Sequence, residues 1–432
     1  MTATVVIVAF MIMVGMMLIG IPIAVAMAVV GIVGGVSAYG MPFVNSVAPV
    51  VWGVQNENLL TSIPLFVLLG ELMLRSGIAD RMYGSLAAWF GRLPGGLLHT
   101  NIGSCALFSA TSGSSVATAA TISTVALPSL IKRNYPIRAS LGSIAAGGTL
   151  GILIPPSVNL IIYGSMTNTS IGQLFIAGLI PGLLLTVIFM MYIGVSSLIS
   201  GHALREEPVP LLTKIRLSAH LVPPLIIFSI VMGSLYLGIA TATESAALGV
   251  TAVMLFVWRA GRLQWSLLKG CFISTGRITG MILLIITAAF ILNLTISLTG
   301  VTDTMTTWAT SFGLTPLTLI LSLVVFYLLL GMFMDVLSMQ VATVPITFPI
   351  AVALGIDPIW FGIFVILMCE LGLITPPVGM NLFVVHGVRP DNGTIKDVMY
   401  GALPYAIIIL LFTGLLTLIP EIVTWLPQQM LN

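Results

Sequence analysis

Apolar stretches long enough to cross a bilayer recur from Val5 to Pro420, divided only by short polar breaks. That pattern predicts an all-α polytopic membrane protein forming a single integral membrane domain over residues 1–432. Spans are expected at about 59–75, 139–164, 174–200, 218–238, 240–258, 279–298, 359–388 and 400–420. Residues 3–39 suit either two short spans or one broken one.

The few charges orient these spans. Basic residues cluster at 75–92, 132–138, 205–216, 259–277 and 389–396, while the linkers around Glu57, Asn168, Glu244, Asp303 and Asp357 contain no Lys or Arg. The positive-inside bias therefore places the clusters in the cytoplasm. Two segments then return to the side they enter from: residues 97–130, between two basic clusters, and residues 318–355, between Asp303 and Asp357. Both are interrupted by Gly, Ser or Pro, as re-entrant hairpins are. The alternative for each is a pair of thin transmembrane helices, which in the first case leaves the polar run 109–115 at the far face.

One phrase is written twice. Leu150-Gly151-Ile152-Leu153-Ile154-Pro155-Pro156 returns as Leu371-Gly372-Leu373-Ile374-Thr375-Pro376-Pro377, followed by Asn159 and Asn381 respectively. Paired prolines remove two N–H donors from the helical ladder, and lipid offers the freed carbonyls nothing in exchange. The offset of 221 residues that pairs Pro155 with Pro376 also pairs Pro128 with Pro349. The chain thus reads as span, hairpin, proline-broken span and span, once over 59–200 and again over 279–420, with connecting spans in 201–278. Because one hairpin (97–130) opens to the cytoplasm and the other (318–355) to the periplasm, the halves are inverted, as in secondary transporters with discontinuous helices.

Composition narrows the function. With 58% hydrophobic and 6% charged residues and a mean hydropathy of +1.16, the chain cannot cover a soluble surface. The first run lacks the basic flank and cleavage site of a removable signal. A net charge of +2 makes no basic face for nucleic acid. Cys105, Cys271 and Cys369 read as small buried hydrophobes, and His99, His202, His220 and His386 are too dispersed for a metal centre. No phosphate loop or nucleophile and base pair is present, so no ATP coupling and no enzyme activity are expected. Trp52, Trp89, Trp308, Trp360 and Trp425 fall near span ends and read as interfacial anchors.

A sodium ion leaving water needs several oxygen ligands, which a bilayer protein supplies as hydroxyls, amides and unwound carbonyls. The first hairpin offers Ser112, Gly113, Ser114 and Ser115; opposite them stand Gly147, Thr149, Gly151 and Pro155. A first cation is expected between these elements. By the repeat, a second lies among Asp335, Gly372, Thr375 and Pro377. Ser115, Asn159, Ser338 and Asn381 are candidate substrate contacts; the two asparagines serve equally well to satisfy carbonyls freed by the prolines. A mid-bilayer carboxylate costs roughly 2.5–3.5 kcal/mol on insertion scales, so Asp335 and Glu370 require partners: a cation for Asp335, a cation or backbone amides for Glu370. Glu244 suits a helix cap. Small hydroxyl residues also serve helix packing, the preferred reading for Ser104 and Ser123.

Residues 108–118 and 147–156, Gly331-Met332-Phe333-Met334-Asp335, residues 372–382, residues 70–81 and residues 241–247 together resemble the large membrane (M) subunit of tripartite ATP-independent periplasmic (TRAP) transporters. The resemblance implies sodium-coupled uptake of a small organic acid by an elevator motion across the bacterial inner membrane. It also implies a separate small four-helix membrane subunit and a periplasmic substrate-binding protein, with no cofactor beyond the coupling Na+. Residues 78–93 would form a horizontal arm between scaffold and moving block. A stand-alone sodium/dicarboxylate or tricarboxylate symporter is the nearest competing class. A passive channel and an intramembrane enzyme follow less directly.

Overall fold

The computed structural model describes residues 3–200, 204–301, 304–305, 307 and 313–430; His202, Asp303 and Trp308 lie outside them. Among the described residues every regular element is helical, and eight helices are long and apolar enough to cross a membrane. The chain is a multi-pass membrane protein.

Local chemistry accounts for the helix ends. Residues 3–39 form two helices, Ala3–Leu18 and Ile23–Tyr39, because Gly20 turns at φ 90° and Pro22 has no N–H with which to continue the first. A helix that the hydropathy pattern did not reveal, Pro42–Gln55, follows. Thr241 and Glu244 form a reciprocal capping box at the start of Ala242–Arg259, as expected for Glu244. The span expected from 279 starts instead at Trp265 and runs to Leu298, placing Lys269 and Arg277 on a helix. Both are exposed, so their long stems can carry the charges toward water.

Two helix pairs and two broken helices form the heart of the molecule. The first pair, Leu97–Ser112 and Ser115–Lys132, is joined through Gly113 and Ser114; the second, Pro316–Gly331 and Val336–Ala353, through residues 332–335. Each is followed by a helix split at the double proline: Ile137–Leu153 with Val158–Thr167, and Pro358–Ile374 with Met380–Val388. Ser115 and Val336, and likewise Ile137 and Pro358, begin corresponding helices 221 positions apart. These elements pack with Ile171–Ile199 and Ile395–Leu418 into one group. A second group, including Ile23–Tyr39, Ser62–Arg75, Val222–Tyr236, Ala242–Arg259 and Trp265–Leu298, flanks it. Helix Ile78–Phe90, within the expected arm, lies between the groups and packs on the first hairpin.

Glycines set the closest approaches. A Cβ on Gly142 would stand 2.0 Å from the Gly401 carbonyl oxygen, and one on Gly401 the same distance from that of Arg138, so Ile137–Leu153 and Ile395–Leu418 touch backbone to backbone. The three cysteines are buried and unpaired. Trp360, near the start of Pro358–Ile374, is buried, stacks on Phe364 and donates Nε1–H to the Leu416 carbonyl at 3.1 Å.

Replacing Gly401 by Val should force these two helices apart, at a cost of about 3 kcal/mol or more for overpacking. A melting curve of the purified protein checks this; an unchanged midpoint would refute the contact.

Candidate functional site

The double prolines leave acceptors behind. Pro155 and Pro156 have no N–H for the carbonyls of Gly151 and Ile152, and Pro376 and Pro377 none for those of Gly372 and Leu373. The second break recovers part of the loss: Thr375 donates its N–H to Gly372 at 3.4 Å and its hydroxyl to Leu371 at 2.6 Å.

Each hairpin turn is seated on the adjacent break. Gly113, left-handed at φ 61°, allows no Cβ, because one would lie 2.6 Å from the Pro156 carbonyl oxygen. A Cβ on Gly151 would meet Ser115 N at 2.7 Å and the Ser114 carbonyl at 2.8 Å. In the other half, a Cβ on Gly331 would reach the Gly372 Cα at 2.7 Å, and Val378 N–H donates to the Met332 carbonyl at 3.3 Å. Ser112, Gly113, Ser114, Ser115 and Gly151 therefore come together, as do Gly331 with Gly372 and Met332 with Val378.

Not every expected ligand joins them. Gly147 remains within the regular ladder of Ile137–Leu153, where its lack of a side chain admits Cys105 Sγ to 2.9 Å of a Cβ position. The helix unwinds only after Leu153. Thr149 is buried and returns its hydroxyl proton to Ala146 O at 2.8 Å. Pro155 and Pro377 each follow or precede a proline across a cis bond and create the gap. Asp335 caps Val336–Ala353, accepting from Leu337 N at 3.2 Å, from Ser338 N at 3.3 Å and from the Ser338 hydroxyl. Its own helix thus supplies the partners that the sequence reading assigned to a cation alone, and it occupies the Ser338 hydroxyl.

Both turns border one cavity of about 340 Å³, which residues 112–117, Asn159 and 335–337 line from the hairpin side. Gly70 and Glu71 of Ser62–Arg75 and Met281 of Trp265–Leu298 line it from the flanking group. Gly70 lets the first turn close on its helix: a Cβ there would approach Ser112 O to 2.8 Å. Glu71 pairs with Arg75 at 2.9 Å.

The asparagines divide. Asn159 lines the cavity; its Oδ1 is buried and unpartnered, and its carbonyl accepts from Gln340 Nε2 at 2.8 Å. Asn381 is buried away from the cavity and donates Nδ2–H to Ala145 O at 3.1 Å, tying one broken helix to the other rather than satisfying a freed carbonyl. Gln340 escaped the sequence reading, although a lone amide in an apolar helix just past Asp335 was the available signal. Glu370 is fully buried and neither carboxyl oxygen has a hydrogen-bond partner.

A helical multi-pass protein whose two broken helices and two hairpin turns enclose a common cavity belongs to the transport proteins by architecture. The family described as the tripartite ATP-independent periplasmic transporter, DctM component, matches residues 10–422, and the chain belongs to it. A C4-dicarboxylate TRAP transporter large permease from Pseudomonas aeruginosa is 36% identical over 89% of this chain and 90% of its own length. An ectoine TRAP transporter large permease from Halomonas elongata is 30% identical, covering 96% and 97%. These relatives are permeases, not enzymes. The YdaH transporter of Alcanivorax borkumensis shares the fold, with a TM-score of 0.65 over 89% of this chain and 88% of that one at 15% identity.

Gly113→Ala should lower stability by about 2 kcal/mol or more, combining the left-handed penalty with the clash against Pro156. Denaturation of the purified protein checks it, and a neutral result would separate the turn from the break.

Proposed function

We propose that this chain is the large permease of a sodium-coupled TRAP importer of a small organic acid in the bacterial inner membrane. The observation that carries the reading is the seating of each hairpin turn on a proline break around one cavity. Hydroxyls of Ser112, Ser114 and Ser115 with the freed carbonyls of Gly151 and Ile152 make an all-oxygen donor set suited to a hard cation. Asp335 with Gly372 and Thr375 makes a second.

Re-entry of the hairpins fits their dimensions. The 16-residue arms Leu97–Ser112 and Pro316–Gly331 rise about 24 Å, short of the roughly 30 Å hydrocarbon core. The second arms, Ser115–Lys132 and Val336–Ala353, are long enough to cross alone, but their turns end on buried backbone rather than at a far surface. Opposite openings make the two halves, 59–200 and 279–420, an inverted repeat. The group holding the hairpins is then the moving block of an elevator, and the flanking group its scaffold. A separate small four-helix subunit completes that scaffold, and a periplasmic binding protein delivers the solute. An isethionate relative named DctMQ, of which this chain covers 64%, is consistent with such a second subunit. Each net positive charge carried inward gains about 2.3 kcal/mol per 100 mV, enough for a few ions to concentrate a dilute acid.

Sodium-driven uptake by proteoliposomes containing both membrane subunits should require the binding protein; uptake by this chain alone would instead favour a stand-alone symporter. Combining Ser114→Ala with Ser115→Ala should raise the sodium concentration for half-maximal uptake about tenfold, the equivalent of about 1.4 kcal/mol, and an unchanged sodium titration would remove these hydroxyls from the site. Pro376→Ala should abolish most uptake by letting the helix continue into the break, where the Gly372 carbonyl now has only the long bond from Thr375 N–H at 3.4 Å.

A further inference from the structure

Segments within or directly after three of the five basic clusters line a second cavity, of about 180 Å³, which shares no lining residue with the central one. Arg81 of Ile78–Phe90, His220 of the turn Ala219–Leu221 and Ala260, just past Ala242–Arg259, form its wall together with Ser76. Arg81 is exposed, and among the described residues it forms no ion pair; neither do Arg259 and Arg262, on either side of Ala260. Arg262 instead donates Nη1–H to the Ser76 carbonyl at 2.8 Å. His220 Nδ1 is buried without a hydrogen-bond partner. Ser76 Oγ accepts the Ile78 N–H at 3.3 Å, but Gly77, the N-cap of Ile78–Phe90, has no side chain, so the positive end of that helix is otherwise uncapped. No acid lines the cavity: Asp80, in the same first turn, is exposed and outside the wall. Ile78, Pro223, Phe256 and Val257 make the remaining wall largely apolar.

We propose that this cavity binds the phosphodiester of an anionic phospholipid from the cytoplasmic leaflet, with Arg81 and His220 as its donors. The positive-inside bias sets the cavity at the cytoplasmic face, where anionic lipids gather around basic segments. Exposed Leu255 and Trp258 flank the lining Phe256 and Val257 on one helix end, and an exposed tryptophan beside an apolar run marks headgroup depth. The volume holds about six water-sized groups, enough for a phosphate with its ester oxygens, while the acyl chains continue along the apolar flank. A guanidinium gives charge-assisted bonds to phosphate oxygens, and an imidazole N–H adds a further donor. The unpaired Arg259 and Arg262 disfavour a headgroup that carries its own cation, so phosphatidylglycerol should bind ahead of phosphatidylcholine. The position is also structural. Ser76 leads from Ser62–Arg75 into the arm, and Ala219–Leu221 leads from Leu211–Ser218 into Val222–Tyr236, so one bound headgroup touches both places where the chain joins the flanking group. The site stands apart from the cation and solute readings and does not depend on them.

The test uses the permease purified in detergent with its small membrane subunit, stripped of lipid and titrated with phosphatidylglycerol, phosphatidylcholine or inorganic phosphate while native mass spectrometry counts bound lipid. One phosphatidylglycerol should be retained at a concentration at least tenfold below that needed for phosphatidylcholine. Combining Arg81→Gln with His220→Gln should raise the phosphatidylglycerol requirement tenfold or more and leave phosphatidylcholine unchanged, whereas Arg81→Lys should keep the preference within a few-fold. Arg81→Gln alone, expected to cost threefold or more, carries the comparison if the double variant loses its melting transition. Arg92→Gln, just past the other end of the same helix, should change nothing. Equal retention of the two lipids overturns the proposal, as does an Arg92→Gln loss as large as that of Arg81→Gln, which marks diffuse surface attraction. Displacement of phosphatidylglycerol by an equal concentration of inorganic phosphate also overturns it, because the cavity then takes a free anion and not a lipid.

Discussion

The structure depends on backbone carbonyls that have lost their donors inside an apolar interior. A helix in lipid satisfies every peptide group internally, so a double proline at mid-span is tolerated only where protein, ion or water takes over. Here a hairpin turn packs onto each break, Gly113 and Ser115 against the first, Gly331 and Met332 against the second. Each approach requires bare backbone. A methyl group on Gly151, Gly331 or Gly372 would overlap its neighbour, so the glycines around the breaks follow from the prolines.

That requirement links the halves. Gln340, on the second hairpin, holds the carbonyl of Asn159 beyond the first break, and Asn381, beyond the second break, holds Ala145 ahead of the first. Tyr163 adds a third tie, donating to the Pro358 carbonyl at 2.6 Å. Buried hydrogen bonds of this kind are costly to leave unmade, which favours motion of the two hairpins and two broken helices as one body. The contacts across the cavity are of a different kind: apart from Gly70 against Ser112 they are largely aliphatic surfaces, which can exchange neighbours without stranding polar groups.

The sequence by itself determined the membrane class, most helix positions and both breaks, because hydropathy and a missing N–H act locally. It located the turns that sit on those breaks and anticipated the Glu244 cap. Gly147 and Thr149 lie in the unbroken part of Ile137–Leu153, where Thr149 donates to the Ala146 carbonyl, and Trp360 packs between helices. Only the tertiary structure decided that Gln340 holds the Asn159 carbonyl, that Asn159 lines the cavity while Asn381 bonds Ala145, and that Glu71 approaches from the flanking helices. Those relations join residues that are remote in sequence, and no local periodicity records which of two similar amides will meet a carbonyl in another half of the chain.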